Sequence, residues 1–254
     1  MPEKVLISRL RAAGCVFAEE EAGLLLEAAS GPELEELVVR REAGEPLEAI
    51  LGWAEFDGLR IQVLPGVFVP RQRSLLLVET AASLAPRTLL DLGCGSGALA
   101  AAVRRRLPDL EVWATDLDPV AIACARLNLP PEHVVHGDLF EPLPARLRFD
   151  VILAHLPYVP SREVELMPRE AKDHEPLTAL DGGDDGLDLQ RRAIAEAPRR
   201  LAPGGAIIVA SSDAQAPTSV GFMESAGLEA EVVRDEERDA TVVVGKNAAH
   251  GDRS

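Results

Sequence analysis

The segment Asp91-Leu-Gly-Cys-Gly-Ser-Gly97 constrains the fold more than any other part of the chain. It follows the apolar run Thr88-Leu-Leu and precedes an alanine-rich stretch with a helical pattern. Glycines let the backbone turn tightly and approach a ligand closely, and the first turn of a helix offers unpaired N–H groups to an anion or carboxylate. The segment therefore predicts a buried strand, a ligand-binding loop and a helix, in that order.

Strand and helix patterns alternate along the chain after Ser74. Strands are predicted over 88–91, 111–116, 133–136, 149–154 and 206–210, helices over 98–106, 119–128 and 189–201, and an antiparallel pair over 229–234 and 240–245. This alternation is typical of a doubly wound α/β domain.

The residues before this region have different patterns of apolar positions. Apolar positions recur at helical spacing up to Arg41, which predicts a small helical domain over 1–45. Short alternating pieces that start at Ile50 flank Asp57-Gly58, a dipeptide that favours a two-residue turn. We therefore expect a β-hairpin within a linker over 46–70, with an extended linker as the alternative. The α/β domain is expected over 71–247, followed by a disordered tail over 248–254.

Composition and charge exclude several classes of protein. With 42 acidic and 26 basic side chains, the formal charge is −16, which disfavours a surface that binds nucleic acid directly. No apolar run approaches the ~18 residues of a membrane helix, and the start of the chain lacks a signal-peptide pattern. We therefore expect a cytoplasmic protein with no nucleic-acid or membrane partner.

Candidate ligand-binding side chains stand where three successive strands end. Because the carboxyl ends of neighbouring parallel strands form one crevice, the glycine loop is expected to lie beside Asp116 and Asp138. Asp116 is the candidate for ribose hydroxyls, with Leu117 next to it, whereas Asp118 before Pro119 suits a helix N-cap. Asp138 is a candidate for the adenine amino group.

Other ligand motifs are not supported. The loop lacks the G-x-G-x-x-G spacing of a dinucleotide site and the Gly-Lys-Ser/Thr of a phosphate loop. The segment Asp181–Gly186 departs from a calcium loop, because its third position is Gly183 and its twelfth is Arg192. His133 and His136 have no third ligand nearby in sequence, so no metal site is predicted.

Several segments together resemble one enzyme family. The glycine loop resembles the cofactor loop of class I methyltransferases that use S-adenosyl-L-methionine. The segment His155-Leu-Pro-Tyr158 resembles the Asn-Pro-Pro-Tyr loop of amino methyltransferases. With the flanking motifs listed next, the chain resembles HemK/PrmC-type protein glutamine methyltransferases over about residues 5–245. Those motifs are Ala49-Ile-Leu-Gly52, Phe68-Val-Pro-Arg71 and the stretch from His174-Glu-Pro through Gly186-Leu187.

The resemblance implies a fold, a cofactor and a substrate. It implies a Rossmann-like seven-stranded sheet preceded by a substrate-recognition domain, and methylation of the Gly-Gly-Gln glutamine of peptide-chain release factors. It assigns the cofactor to Asp91, Leu92, Gly93, Cys94, Gly95, Gly97, Asp116, Leu117, Asp138, Leu139 and His155, and the acceptor to His155, Leu156, Pro157 and Tyr158.

Two departures from the family pattern leave alternatives open. His155 and Leu156 replace the family's asparagine and first proline, and Arg71-Gln-Arg-Ser-Leu75 replaces Arg-Pro-x-Thr-Glu. Histidine cannot present a donor and an acceptor to one amide as asparagine does, and loss of the proline is expected to loosen the loop. The alternatives are a methyltransferase of the same fold that uses His155 as a general base on another acceptor, and a cofactor-binding protein without acceptor activity.

Overall fold

The arrangement of helices and strands follows the predicted alternation. The computed structural model describes residues 1–167 and 176–248. The helices are α1 (Glu3–Ala12), α2 (Ala18–Ala28), α3 (Gly31–Glu42), α4 (Leu47–Leu51), α5 (Leu75–Ser83), α6 (Ala98–Arg106), α7 (Pro119–Asn128), α8 (Ser161–Val164), α9 (Asp188–Arg200) and α10 (Ala216–Ser225). The strands are β1 (Trp53–Phe56), β2 (Leu59–Gln62), β3 (Thr88–Leu92), β4 (Glu111–Asp116), β5 (Val134–His136), β6 (Phe149–Ala154), β7 (Leu201–Ser211), β8 (Glu229–Asp235) and β9 (Ala240–Lys246).

One seven-stranded sheet forms the centre of the α/β region, as expected. Its strand order is β5-β4-β3-β6-β7-β9-β8. The first five strands in this order are parallel, and β9 pairs antiparallel with both β7 and β8. Chain order reverses direction between β3 and β6, and in such sheets ligands bind in the crevice beyond the carboxyl ends of the strands at that point.

Apolar side chains cover both faces of this sheet. Alternate residues of β3 point to opposite faces, so Leu89 packs with helices α5 and α6 whereas Leu90 and Leu92 pack on the side of α9 and α10. All three side chains are buried. The sheet is thus a rigid platform whose carboxyl edge carries the loops of the site.

The first three helices have a hydrophobic core of their own. Leu6, Leu10, Leu25, Leu34 and Val38 are fully or almost fully buried together. These are positions at helical spacing in the sequence, which is why the helical interpretation of this region succeeds.

The predicted hairpin forms in place of an extended linker, but its first strand begins later than expected. Asp57 and Gly58 both have positive φ angles (51° and 68°), as a type I′ turn requires, and Phe56 pairs with Leu59. The expected strand start at Ile50 is wrong, because α4 occupies those residues and ends at Gly52 in the left-handed conformation. Ile50 packs into the core of the N-terminal helices, and that contact favours the helical turn.

The described helices include none with the length and apolar character needed to cross a membrane. The tail expected to be disordered lies, from residue 249 on, outside the described residues.

Candidate active site

The glycine loop lies at the carboxyl end of β3, against the end of β4. The N–H groups of Gly93 and Cys94 both donate to the carbonyl of Thr115 (2.9 and 3.0 Å). Gly93 and Gly95 have φ angles of 66° and 53°, which side chains rarely tolerate. The loop is therefore fixed to β4, with its backbone directed into the crevice.

Asp116 supports this loop from the end of β4. Its carboxylate accepts hydrogen bonds from Gly95 N–H and Asp118 N–H (both 2.9 Å). Burial raises the pKa of Asp116, although these bonds act in the opposite direction. Since a carboxylate has about four lone-pair sites, Asp116 retains acceptor capacity toward the cavity that it lines. Asp118 caps α7 by accepting from Val120 N–H (2.8 Å), as expected.

Asp91 lies beneath the loop and is completely buried. One carboxylate oxygen accepts from Ala100 N–H (3.3 Å), and the other has no hydrogen-bond partner among the described residues. Burial, and to a smaller extent the charge of Asp116, raises the pKa of Asp91 to about 7. Leu92 is likewise buried and belongs to the core, so both residues support the loop from below. Gly97 is the last residue of the loop and the N-cap of α6.

The third predicted strand end forms another wall of the crevice. Asp138 lines the cavity and pairs with Arg192 (2.7 Å). Leu139 has a φ of 46°, and Leu117 is 63 % exposed although it lines the same cavity. These two apolar side chains flank the space beyond Asp116.

The loop His155–Tyr158, the predicted acceptor loop, follows β6 and lies next to the glycine loop. Leu92 pairs with Ala154 in the parallel register of β3 and β6, so Gly93 and His155 leave neighbouring strands at the same level. His155 contacts Phe68 edge to face, with ring centroids 5.8 Å apart, and lies 6.2 Å from the Tyr158 ring. Among the described residues neither ring nitrogen of His155 has a hydrogen-bond partner.

The electrostatics of His155 disfavour the role of general base. Burial, followed by the positive charges of Arg73 and Arg71, lowers the pKa of His155 to about 4. A base with such a pKa accepts a proton poorly at neutral pH. The imidazole is neutral there and offers one donor and one acceptor on separate nitrogens.

Leu156 is buried beside the loop that the missing proline was expected to loosen. Its side chain is 3 % exposed and belongs to the same apolar cluster as Leu92 and Phe140. This burial favours a fixed position for the residue that replaces the family proline.

The segment after Pro176 forms a second layer against the acceptor loop. Gly182 N–H donates to Val159 O (2.9 Å), and Val159 N–H to Leu180 O (3.2 Å). A Cβ atom at Gly182 would lie 2.7 Å from Pro157 O, so this close approach requires glycine. Asp181 is used internally, accepting from Ser161 Oγ and Gly183 N–H. His174 and Glu175 of the same motif lie outside the described residues.

One cavity of about 380 Å³ joins these loops. Of the predicted residues it is lined by Gly93, Cys94, Gly95, Asp116, Leu117, Asp138, Leu139, His155, Leu156, Pro157 and Tyr158. The sequence interpretation missed Phe68, Arg73 and Ser74, which line it from the segment after the hairpin. The Phe68–Arg71 motif is a sequence signal for the first of these residues, and the altered Arg71–Leu75 motif is a signal for the other two.

The residues around the cavity fit S-adenosylmethionine. Asp91 Oδ1 and Ser74 Oγ are buried polar atoms with no partner among the described residues. The Asp116 carboxylate lines the cavity, and a ligand that carries positive charge would favour its ionised form, which burial disfavours. The bare backbone of the glycine loop leaves room for close approach.

The sheet order and the glycine loop with Asp116 at the next strand end define a class I S-adenosylmethionine-dependent methyltransferase. A family model for the methyltransferase small domain matches residues 58–170. The chain is 42 % identical over 194 residues to the release factor glutamine methyltransferase of Gloeobacter violaceus, which covers 72 % of this chain and 68 % of the relative. The chain belongs to the release factor glutamine methyltransferase family.

Two further comparisons extend over most of the chain. The release factor glutamine methyltransferase of Deinococcus radiodurans is 33 % identical over 255 residues, covering 90 % of this chain and 91 % of the relative. The crystal structure of a methyltransferase from Pyrococcus furiosus has a TM-score of 0.59 at 18 % identity, covering 84 % of this chain and 98 % of that one. The family and fold expected from the sequence are thus confirmed.

Proposed function

We propose that this enzyme methylates the side-chain amide nitrogen of a glutamine in a peptide-chain release factor. The observation that carries the proposal is the single cavity in which the glycine loop and the loop His155–Tyr158 lie side by side. The names of the relatives identify the same substrate for those proteins. We assign the cofactor and acceptor roles to the residues predicted above.

The acceptor loop retains two groups that can hold a primary amide. An amide nitrogen is a poor nucleophile, so its orientation toward the reacting methyl group is a large part of catalysis. The neutral His155 ring has an N–H that can donate to the amide oxygen. The carbonyl of Leu156 accepts no hydrogen bond from the described residues, and it can accept an N–H of the same amide. The His155 ring would thus supply the donor, and the Leu156 carbonyl the acceptor, that a single asparagine side chain can present.

The cofactor supplies the methyl group, on a positively charged sulfonium, when it is bound. Held by the Asp91–Gly97 loop and Asp116, it would give this methyl group to the acceptor nitrogen and leave as the neutral thioether, and the proton of that nitrogen would pass to water. The chain's contribution is to position the amide and exclude water, since a base with the pKa of His155 adds little at neutral pH.

We assign substrate recognition to the helical domain over 1–45, linkage to residues 46–70 and catalysis to residues 71–247. In support of this division, the first helices have a separate core. Val16 and Phe17, between α1 and α2, are 84 % and 65 % exposed. Exposed apolar side chains of this size favour contact with a protein partner.

We place the reaction in the cytoplasm, without direct contact with nucleic acid. The formal charge of −16 opposes binding to a phosphate backbone, and a protein substrate of translation is available there.

The test is methyl transfer from labelled S-adenosylmethionine to a purified release factor. The matched control is the same factor with the glutamine of its Gly-Gly-Gln motif replaced by alanine. We expect label on the first factor, located at that glutamine by mass spectrometry, and none on the second. Equal labelling of both factors, or no labelling while calorimetry detects cofactor binding, would overturn the proposed substrate.

A further inference from the structure

Besides the bond that Gln72 Nε2 donates to the carbonyl of Glu55 (3.1 Å), side chains of α6 and α7 hold the hairpin of β1 and β2 to the α/β region at two separate places. At its turn, the Asp57 carboxylate accepts two hydrogen bonds from the Arg106 guanidinium (2.6 and 3.0 Å), and the Asp57 carbonyl accepts one from Arg105. These arginines lie at the end of α6, remote in sequence from its start at the glycine loop. This first attachment therefore does not touch the cofactor loop.

The second attachment is made by the side chain of Asn128, the last residue of α7. Its Oδ1 accepts from the N–H of Gln62, and its Nδ2 donates to the carbonyl of Gln62 (both 2.9 Å). The Asn128 amide thus bonds to both backbone groups of Gln62, as a residue of a neighbouring strand would. Cys124, one turn earlier in α7, also contacts the Gln62 carbonyl through its thiol (3.2 Å).

Asn128 makes a further bond that reaches the cofactor loop. Its Nδ2 donates to the carbonyl of Ser96 (2.8 Å), and Ser96 is a buried member of that loop. Among residues 1–167 and 176–248, no other hydrogen-bond donor to this carbonyl is found. One amide group thus binds the hairpin and the cofactor loop at once.

We propose that Asn128 is a positioning residue that couples the docked hairpin to the cofactor-binding conformation of the Asp91–Gly97 loop. Ser96 is a buried residue and its bond to Asn128 is partly buried, so loss of this donor leaves a poorly satisfied carbonyl that favours another loop conformation. When the hairpin is displaced, Gln62 no longer fixes the orientation of the Asn128 amide. Cofactor binding and hairpin docking therefore reinforce each other, whatever the methyl acceptor is.

The decisive comparison is between Asn128→Asp and Arg106→Gln. The aspartate side chain has a similar shape, but it places an acceptor against the carbonyls of Gln62 and Ser96. Arg106→Gln removes the guanidinium that holds the hairpin turn, and it leaves the loop contact intact. Both variants weaken hairpin attachment, whereas only the first alters the bond to the loop.

We expect calorimetric titration to give a cofactor Kd raised about tenfold or more in Asn128→Asp, which corresponds to the loss of one buried hydrogen bond. Arg106→Gln is expected to raise the Kd by a clearly smaller factor although its melting temperature falls, because it weakens docking and leaves the bond to the loop in place. Asn128→Ser serves if the aspartate variant does not fold. An unchanged Kd in the Asn128 variant, or an increase in Kd that is just as large in Arg106→Gln, would overturn the proposal.

Hydrogen exchange on the unaltered protein provides a second test. We expect addition of S-adenosylmethionine, with no acceptor present, to slow amide exchange at residues 61–63 of the hairpin. An exchange rate at these amides that does not change when the cofactor is added would contradict the coupling. This measurement does not depend on methyl transfer, so its failure is distinct from failure of the proposed substrate.

Discussion

Leu156 packs directly over Gly93: a Cβ atom at Gly93 would lie 2.8 Å from Leu156 Cδ2. The loop His155–Tyr158, proposed to hold the acceptor, is therefore in contact with the loop Asp91–Gly97, proposed to hold the cofactor. Gly93 has a φ of 66°, a conformation that favours glycine, and a Cβ atom there would displace the end of the Leu156 side chain. The leucine that replaces the family proline is thus part of the interface between the two halves of the site.

Leu156→Ala is expected to destabilise the protein by about 2–5 kcal/mol, because it removes a buried side chain and leaves a cavity. Urea unfolding followed by circular dichroism measures this loss. Leu166→Ala is the matched control, since Leu166 is 81 % exposed and its truncation should change the free energy of unfolding little. Equal stability of the two variants would show that Leu156 does not anchor the loop.

Asp116→Asn should raise the cofactor Kd about 10- to 100-fold, because it weakens charged hydrogen bonds that shape the loop and would hold the ligand. Calorimetric titration provides the measurement. In the control, Asp118→Asn keeps a side-chain acceptor for the α7 cap and removes a charge two residues away. A comparable increase in Kd in both variants would assign the effect to net charge and not to the position of Asp116.

His155→Asn should increase the rate of transfer to the release-factor glutamine about tenfold, since asparagine presents a donor and an acceptor on one edge. Initial rates at saturating cofactor provide the comparison. The Kd for the cofactor, measured in parallel, separates acceptor positioning from cofactor binding. A rate equal to or below that of the wild type would refute the idea that histidine holds the amide less well.

The same substitution predicts a pH dependence of stability. The pKa of His155 is lowered from 6.5 in the unfolded chain to about 4 in the fold, so between these values the unfolded state binds more protons. The wild type therefore loses stability relative to His155→Asn as pH falls from about 6.5 to about 4. Melting temperatures at pH 8, 7, 6 and 5 test this, and a difference that is constant below pH 6.5 would contradict the lowered pKa of His155.

Local sequence signals were sufficient for most of the fold. The bounds of β4, α6, α7 and β6 were predicted to the residue, because each segment combines a clear period with a glycine, proline or acidic boundary. The error at Ile50 arose because a tertiary contact with the N-terminal helices stabilises α4, and periodicity cannot reveal such a contact.

The predicted site was incomplete for a related reason. Strand-end residues such as Gly95, Asp116 and His155 follow from topology, since parallel strands bring their carboxyl ends together. Asn128 and Gln215 lie at helix ends, and their importance depends on which carbonyls a distant loop brings within reach. The lowered pKa of His155 similarly depends on burial and on the charge of Arg73, which is distant in the chain.

Gln215 provides the last test, because it holds the acceptor loop from behind. Its Nε2 donates to the carbonyls of Tyr158 (2.9 Å) and Asp185 (3.1 Å), while Ser212 Oγ donates to its Oε1 (2.8 Å) and fixes the orientation of the amide.

Gln215→Glu replaces the donors with a carboxylate that faces two carbonyls, so the loop is expected to shift. We expect kcat for methyl transfer to fall about 10- to 100-fold while the cofactor Kd stays unchanged, since a small misplacement of the acceptor is costly to the rate. Ser212→Ala removes the orienting bond and the bond that Gln215 N–H donates to Ser212 Oγ (3.2 Å), but it keeps the Gln215 donors, so it should lower kcat by a smaller factor. A cofactor Kd that rises in step with the loss of rate would place the effect of Gln215 on the whole site and not on the acceptor loop.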